Sequence, residues 1–171
     1  MPEALLTGGA DGIGLAIART LAAQGCRVTI ADLDGDKARA RAADQGPGHR
    51  GIACDVTEED QVRAVAGTAS FDILVNNAGI GDSHLPTLDQ DLAAFHRLLD
   101  VHLAGTFLMT RHVARVMLAR GGGAVVNLSS IAGLTGLPRR NAYDAVSAVT
   151  GTLLPVDGGW TVFGDFGDAW G

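Results

Sequence analysis

The sequence predicts an α/β fold in which helices cover both faces of a parallel sheet. Short runs rich in Val, Ile, Leu and Ala alternate along the chain with longer Ala-, Leu- and Arg-rich stretches of helical periodicity. The short runs are apolar throughout, which is typical of strands that are buried on both faces. Because right-handed crossovers join parallel strands, this alternation predicts a doubly wound, three-layer α/β/α sheet of the Rossmann type.

The predicted elements follow one another with short connections. Strands are expected over residues 4–7, 27–32, 50–54, 72–76 and 124–128. Helices are expected over residues 13–24, 35–45, 58–69, 89–119 and 141–150. Thr57 is the expected N-cap of the third helix, and the acidic residues at 58–60 favour its first turn. In the long helix the residues expected to be buried are Leu92, Phe95, Leu99, Leu103, Phe107 and Met109.

The composition indicates a single domain spanning residues 1–171. The chain is 47% hydrophobic and carries a net charge of −6, so neither nucleic acid nor an anionic membrane is an expected partner. No apolar run reaches membrane-spanning length and the N-terminus lacks a signal-peptide layout, so a cytoplasmic location is expected. Cys26 and Cys54 are expected inside strands as small buried residues, and the histidines show no metal-ligand spacing, so no metal site is expected.

The strongest local signal is a glycine-dense turn between the first strand and the first helix. The run from Thr7 to Gly14 reads TGGADGIG and leads directly into a helical pattern. Glycine permits a sharp turn and a close approach of the backbone to a ligand. The helix that follows directs its free N–H groups and its positive dipole end toward whatever lies over the turn. This arrangement suits a pyrophosphate, although a purely structural turn would use the same glycines.

Polar residues close the next three strands, at the edge where open parallel sheets bind ligands. Asp32 ends the second strand and can accept hydrogen bonds from the two hydroxyls of an adenosine ribose. Its charge would repel a 2′-phosphate, and no Arg or Lys stands at positions 11, 12 or 33, so NAD is expected rather than NADP. The pairs Asp55-Val56 and Asn76-Asn77, the latter followed by Ala and Gly, close the third and fourth strands. Each could equally be an ordinary loop or turn residue.

Taken together, these motifs resemble the short-chain dehydrogenase/reductase family. With NLSS at 127–130 and Tyr143, they occur in one order and at compatible spacings over residues 4–143. The resemblance resumes at TLLPVDGGW, residues 152–160, which is similar to the C-terminal strand and loop of the family. It implies an NAD-dependent oxidoreductase that moves a hydride between the nicotinamide and a secondary alcohol or ketone. It also implies a homo-oligomer, a dimer or tetramer, formed through the long helix and its neighbour.

The resemblance also implies which residues form the site. The residues implied to contact the cofactor are Gly8, Asp11, Gly12, Ile13 and Gly14 around the pyrophosphate and its ribose, Asp32 at the adenosine ribose, Asp55 and Val56 beside the adenine, and Asn77 and Gly79 on the adenosine side of the cleft. Ser130 stands thirteen residues before Tyr143 and matches the serine that steadies the substrate oxygen. Tyr143 matches the group that exchanges a proton with the substrate. A tyrosine does this near neutral pH only if nearby positive charge lowers its pKa, which is about 10 in water.

Two substitutions depart from the family pattern around the tyrosine. The family has Tyr-x-x-x-Lys, whereas this chain reads YDAVS, so that Ser147 stands at the lysine position. The last cations of the chain are Arg139 and Arg140, and Asp144 adds a charge of the wrong sign beside the tyrosine. His102 replaces an asparagine that supports a water-mediated proton relay to the lysine, although a neutral histidine could also bond to water.

The third departure is a shortened C-terminal side. Nine residues lead from Tyr143 to Thr152, where the family has the lysine, a sixth strand and a helical lid over the substrate. The encoded protein has an internal deletion, or the sequence lacks a segment that was not recorded. With a deletion, the helix at 141–150 is expected to act as a crossover that brings residues 153–156 beside the fifth strand. The alternative function is a catalytically impaired nucleotide-binding remnant without the family lysine and lid.

Overall fold

The computed structural model describes residues 1–135, 137–150 and 153–156. Its strands are β1 (Glu3–Thr7), β2 (Arg27–Asp32), β3 (Arg50–Ala53), β4 (Ile73–Asn76), β5 (Gly123–Asn127) and β6 (Leu153–Val156). Its α-helices are α1 (Gly12–Ala23), α2 (Gly35–Ala43), α3 (Glu59–Ala66), α4 (Leu92–Leu99), α5 (Gly105–Leu118) and α6 (Asn141–Thr150). Short 3₁₀ turns lie at Thr87–Asp89 and Ile131–Gly133, and a π-helical segment at Asp100–Ala104 joins α4 to α5.

The strands form one sheet in the order β3-β2-β1-β4-β5-β6, and β1 to β5 are parallel to one another. The chain winds outward from β1 to β3 on one side and then returns to add β4 on the other side of β1. Strand order therefore reverses between β1 and β4, and ligands bind at such a reversal, outside the carboxyl ends of the strands. The predicted doubly wound α/β sheet is confirmed.

Hydrophobic residues on both faces of the sheet explain why the strands are apolar throughout. Successive side chains of a strand point to opposite faces. Leu5 of β1 packs with Val62 of α3 and Met109 of α5 on one face, and all three are fully buried. The neighbouring Leu6 packs on the other face with Ala18 of α1, in a cluster that also includes residues of α2. The two clusters form the two helical layers around the sheet.

The last strand lies where it was expected, but it runs in the opposite direction. β6 pairs with β5 in antiparallel register, so the expectation of a crossover into this position is wrong. Ser129, just beyond β5, donates a hydrogen bond to the backbone carbonyl of Ser147 in α6. The second half of α6 thus lies at the carboxyl edge of the sheet. Two residues separate α6 from β6, too few to carry the chain to the opposite edge for parallel pairing. Those two residues, Gly151 and Thr152, lie outside the described residues, as do residues 157–160.

The expected helix over 89–119 is interrupted, and its buried face differs from the prediction. Leu92 and Phe107 were expected to be buried, but they are 64% and 61% exposed. Leu98 and Val113 are buried in their place, at 2% and 0% exposure. The π-helical segment between α4 and α5 has more residues per turn than an α-helix. The buried positions of α5 are therefore not in phase with those of α4.

The predicted placement of the two cysteines and the predicted N-cap of α3 also need correction. Cys26 and Cys54 are buried and not disulfide-bonded, but Cys26 precedes β2 and Cys54 follows β3 instead of lying within a strand. The N-cap of α3 is Glu58, whereas the Thr57 hydroxyl donates a hydrogen bond of 2.7 Å to Asp55 Oδ1.

No helix in the described ranges has the length and apolar character needed to cross a bilayer.

Candidate functional site

Two adjacent cavities lie at the carboxyl edge of the sheet. The larger has a volume of about 550 Å³ and lies at the reversal of strand order. The smaller has a volume of about 260 Å³ and extends toward α6. Both are lined by the residues that follow β4, from Asn77 to Ile80, so the cavities are two parts of one cleft.

The larger cavity brings together most of the predicted cofactor residues. Those that line it are Gly8, Asp11, Asp32, Asp55, Val56, Asn77 and Gly79. They come from four different strand ends, which the parallel sheet places at one edge. Arg97 and Asp100 also line this cavity and were missed by the sequence analysis, since nothing in their local pattern separates them from ordinary polar residues of a helix.

Glycine is required at two positions of the turn for steric reasons. A Cβ atom on Gly14 would overlap the carbonyl oxygen of Gly8 and lie 2.5 Å from Nδ2 of Asn77. A Cβ atom on Gly8 would lie 2.8 Å from the Cα of Ala78. Gly12 has a positive φ of +51°, as Gly8 does at +62°, but no atom would meet a Cβ atom on Gly12 within 4 Å. The glycine turn is therefore packed tightly against Asn77 and Ala78 on one side. It is open on the side of Gly12, which leaves room for a ligand.

Asn77 joins the end of β4 to the glycine turn. Its Nδ2 donates hydrogen bonds of 3.0 Å and 2.8 Å to the carbonyl oxygens of Thr7 and Gly8. The buried Thr7 hydroxyl accepts hydrogen bonds of 3.0 Å from the N–H groups of Asn77 and Ala78. Asn77 therefore holds the two central loops of the cleft in place, in addition to lining it.

Asp32 is fixed at the end of β2 by two backbone hydrogen bonds. Its Oδ2 accepts from the N–H of Ala10 at 2.9 Å, and its Oδ1 accepts from the N–H of Asp34 at 3.1 Å. The half-buried carboxylate faces the larger cavity. An anion held in this way offers its remaining lone pairs to donors in the cleft, such as hydroxyl groups.

A cation that the sequence analysis missed lies beside the glycine turn. Lys37 of α2 forms an ion pair of 2.7 Å with Asp11, which lies 26 positions earlier in the chain. The hydrogen bond from Lys37 and the N–H of Gly12 together hold the pKa of Asp11 below its ordinary value. The expectation of NAD depends on the absence of Arg and Lys at positions 11, 12 and 33. Lys37 lies further along the chain, and it reaches the glycine turn because α2 packs beside β2.

Tyr143 lies in the smaller cavity between a histidine and an arginine. Its ring meets that of His102 edge to face, with the ring centroids 5.7 Å apart. The guanidinium carbon of Arg140 lies 5.3 Å from the centroid of the tyrosine ring. Ser147, at the position of the family lysine, is 4% exposed and also lines this cavity. Asp144 turns its Oδ2 to the N–H of Leu137, from which it accepts a hydrogen bond of 2.9 Å.

His102 is held by the loop after β4. Its Nε2 lies 3.1 Å from the nitrogen and 2.9 Å from the oxygen of Ile80, so the tautomer decides whether it accepts from or donates to this residue. A Cβ atom on Gly79 would lie 2.6 Å from Cε1 of His102. The imidazole thus packs directly on Gly79, which explains why a glycine stands there.

The remaining predicted residues lie at different places around the cleft. Ile13 lines the smaller cavity, together with Tyr143. Ser130 is not among the residues that line either cavity, because its Oγ caps the short 3₁₀ turn and accepts a hydrogen bond of 3.2 Å from the N–H of Ala132. The neighbouring Ser129 lines the smaller cavity. Within the described ranges, no group of three or more His, Cys, Asp or Glu residues is arranged to hold a metal ion.

Comparison with known proteins identifies the family. Residues 2–151 match the sequence profile of the family described as short chain dehydrogenase. The chain is 42% identical over 158 residues to a cis-4-hydroxycyclohexanecarboxylate dehydrogenase of Sinomonas cyclohexanicum, covering 88% of this chain and 63% of that protein. It is 41% identical over 150 residues to a D-threitol dehydrogenase of Mycolicibacterium smegmatis, covering 83% of this chain and 57% of that protein.

A solved structure leads to the same result. It is described as a short chain dehydrogenase/reductase family protein, and it superposes with a TM-score of 0.81 at 41% identity over 86% of this chain and 63% of its own. The chain thus spans about three fifths of the length of the relatives that it matches. The family profile covers most of the chain, and the fold agrees with it. The chain belongs to the short-chain dehydrogenase family.

Proposed function

We propose that this chain binds NAD and acts as an oxidoreductase that moves a hydride between the nicotinamide and a secondary alcohol or ketone. The observation that carries the proposal is the carboxylate of Asp32, which two backbone N–H groups fix at the mouth of the 550 Å³ cavity. Both named relatives are dehydrogenases, one of a hydroxycyclohexanecarboxylate and one of a polyol, which supports an alcohol as the substrate.

The residues of the larger cavity fit NAD. The pyrophosphate would bind at the N-terminus of α1, on the open side of the glycine turn next to Gly12. Asp32 would accept hydrogen bonds from the adenosine ribose, and Asp55 and Val56 would lie beside the adenine. A 2′-phosphate would meet the carboxylates of Asp32 and Asp11, while the charge of Lys37 is paired with Asp11. These charges support NAD rather than NADP.

The smaller cavity would hold the reacting carbon. When bound, NAD supplies the acceptor or donor of the hydride, and the protein supplies the proton transfer and the orientation of the substrate. Tyr143 would exchange a proton with the substrate oxygen, and Ser130 would steady that oxygen after its side chain leaves the cap of the 3₁₀ turn. Ser129 already lines the cavity and could contribute the same hydrogen bond.

The proposal extends to the state of the protein in the cell. Residues 1–171 would form a single cytoplasmic domain that assembles as a dimer or tetramer. Phe107 of α5 is 61% exposed, which supports contact through this helix. Light scattering on Phe107→Ser is expected to show a smaller particle than the unmodified chain, and an unchanged mass would reject this interface.

An NAD titration followed by turnover tests the function. Saturable binding of NAD, followed by turnover of a secondary alcohol that is lost in Tyr143→Phe, would support the oxidoreductase. The second candidate is the catalytically impaired nucleotide-binding remnant, which the buried Ser147 at the lysine position favours. Binding of NAD without turnover across a panel of secondary alcohols would support this second candidate, and absence of NAD binding would reject both.

A further inference from the structure

Arg140 places a positive charge in the smaller cavity, beside Tyr143. Among the described residues that line this cavity, Arg140 is the one lysine or arginine, and none is Asp or Glu. The other lining side chains are neutral polar or apolar groups, apart from His102. A positive charge in a partly enclosed, otherwise uncharged site attracts an anion more strongly than the same charge on an open surface.

The guanidinium is held against the rings of His84 and Tyr143. Its Nε lies 3.2 Å from Nδ1 of His84, and its Nη2 lies 2.9 Å from Nε2 of the same ring. Its carbon lies 5.3 Å from the centre of the Tyr143 ring, a distance at which a cation is attracted to an aromatic ring. The rings of His84 and Tyr143 position the guanidinium, and neither side chain is a carboxylate.

No carboxylate of the described residues forms an ion pair with Arg140, although arginines elsewhere do so. Arg27, for example, lies 2.7 Å from Glu3. The two acidic residues near the cavity are engaged with backbone groups. Asp82 accepts from the N–H of Tyr143 at 3.3 Å, and Asp144 accepts from the N–H of Leu137 at 2.9 Å. Asp82 and Asp144 keep their negative charges nearby, but among the described residues the N–H groups of the Arg140 guanidinium are not occupied by a carboxylate.

We infer that Arg140 binds a carboxylate of the substrate, so that the substrate class is a small hydroxy acid or the corresponding keto acid. This inference rests on the proposed function and names its substrate class. A guanidinium donates two parallel hydrogen bonds to a carboxylate. The contacts with His84 use Nε and one N–H of Nη2, so Nη1 and the second N–H of Nη2 are available as such a pair. Because Arg140 lies against the ring of Tyr143, the carboxylate and the reacting carbon lie within one small molecule.

The competing explanation is that Arg140 merely joins the loop of His84 to the start of α6. In that case the site would bind an acid no better than its uncharged ester. A pair of probes with one carbon skeleton separates the two explanations. We choose 3-hydroxybutyrate and its methyl ester, which differ at the carboxyl group and present the same secondary alcohol.

The experiment is a titration of the NAD-saturated protein, followed by NMR of ring-¹³C-labelled tyrosine. Tyr143 is the single tyrosine of the chain, so its signal reports on this cavity alone. We expect a saturable shift with the acid at a concentration about tenfold below that needed for the ester. Raising the salt concentration is expected to weaken binding of the acid and to leave the ester unchanged.

Arg140→Gln is expected to remove the preference for the acid, and Arg140→Lys to retain part of it. Arg139→Gln is the matched control, because Arg139 is exposed and does not line the cavity. Equal binding of acid and ester, no saturable shift with the acid, or an unchanged preference in Arg140→Gln would each overturn the inference. The comparison of acid with ester in the unmodified protein decides the question even if Arg140→Gln does not fold.

The titration with NAD is measured separately and keeps the two proposals distinct. If NAD does not bind, the proposed function fails, and the carboxylate titration is then carried out on the protein alone. If NAD binds and the acid shows no advantage over the ester, the inference about Arg140 fails while the proposed cofactor stands.

Discussion

Nζ of Lys37 lies 2.7 Å from a carboxylate oxygen of Asp11, so a cation of α2 is tied to the glycine turn at the mouth of the larger cavity. This pair bears directly on the choice between NAD and NADP. While Asp11 neutralises Lys37, a 2′-phosphate beside the glycine turn meets the carboxylates of Asp11 and Asp32, and the lysine next to them is already paired. The proposed preference for NAD thus depends on Asp11 as well as on Asp32.

Asp11→Asn is expected to raise the affinity for NADP. The substitution removes one negative charge and releases Lys37, which can then contact a 2′-phosphate. We expect the NADP dissociation constant to fall by about tenfold, with a smaller change for NAD. Isothermal titration with both nucleotides measures the effect. The double variant Asp11→Asn with Lys37→Gln is the control, and it is expected to lose the gain. An unchanged NADP affinity in the single variant would show that Lys37 does not reach the phosphate.

Asp32→Asn is expected to weaken NAD binding by about tenfold or more, because hydrogen bonds to a charged acceptor are replaced by those to a neutral amide. The amide is also less able to accept from Ala10 and Asp34 at once. Asp36→Asn is a matched control on the neighbouring helix, since Asp36 is exposed and pairs with Arg39 outside the cleft. The same titration is used, and equal losses in both variants would argue against a specific contact of Asp32 with the ribose.

Gly14→Ala is expected to lower the free energy of unfolding by about 1–3 kcal/mol, because the added methyl group has no space between Gly8 and Asn77. Gly67→Ala serves as the control. Its nearest neighbours would lie 3.6 Å from the new Cβ, and its φ is −83°, so we expect a change within about 0.5 kcal/mol. Urea unfolding measures both variants. Similar stability of Gly14→Ala and the unmodified chain would contradict the packing described for this turn.

The part of the fold that depends on local pattern was predictable. Apolar runs identified the strands that are buried on both faces, and glycines marked the turn before α1. The direction of β6 was not predictable in this way, because it depends on where α6 ends in space. The prediction that Leu92 and Phe107 are buried was wrong, because it assumed one continuous helix. No residue pattern indicated the π-helical segment between α4 and α5.

The candidate site likewise has a part that was predictable from local pattern and a part that was not. Residues at strand ends, such as Asp32 and Asn77, could be assigned to one edge because parallel strands end there together. Contacts between distant segments could not, and these include Lys37 with Asp11 and Arg140 with His84. Such pairs depend on how helices and loops pack over the sheet. The hydrogen bonds of Ser130 likewise follow from the 3₁₀ turn that it caps.

Glu59 predicts a dependence of stability on pH. A hydrogen bond with His112, at 2.8 Å, is the main cause that lowers the pKa of Glu59, and Arg111 and Arg63 add to it. A carboxylate with a lowered folded-state pKa contributes stability above its unfolded pKa, about 4.3, and loses this contribution as the pH falls through the folded value. Glu59→Gln is therefore expected to be less stable than the unmodified chain at pH 7, with the difference shrinking as the pH falls below about 4.3 and lost once the pH is below the folded-state pKa.

Urea unfolding at several pH values between 7 and 3 measures this difference. Glu58→Gln is the matched control on the same helix, because Glu58 is exposed and makes no side-chain capping bond. A difference for Glu59→Gln that stays constant from pH 7 to pH 3 would mean that the pair with His112 does not act through the charge of Glu59.

Cys54 offers a chemical probe of the larger cavity. Burial, and to a lesser degree the neighbouring Asp55 carboxylate, raises the pKa of its thiol to about 11. At pH 8 about one thiol in a thousand is then ionised, so alkylation by iodoacetamide is expected to be slow in the folded protein and fast in urea. Because Cys54 lines the larger cavity, saturating NAD is expected to slow the reaction further.

The measurement uses Cys26→Ser, so that the label reports on Cys54 alone. Cys54→Ser is the reciprocal control, because Cys26 does not line the cavity and its labelling is expected to be insensitive to NAD. Mass spectrometry over time gives both rates. Labelling of Cys54 that is unaffected by saturating NAD would place the nucleotide outside this cavity, whereas protection of Cys54 and not of Cys26 would tie the proposed cofactor to the cleft between β1 and β4.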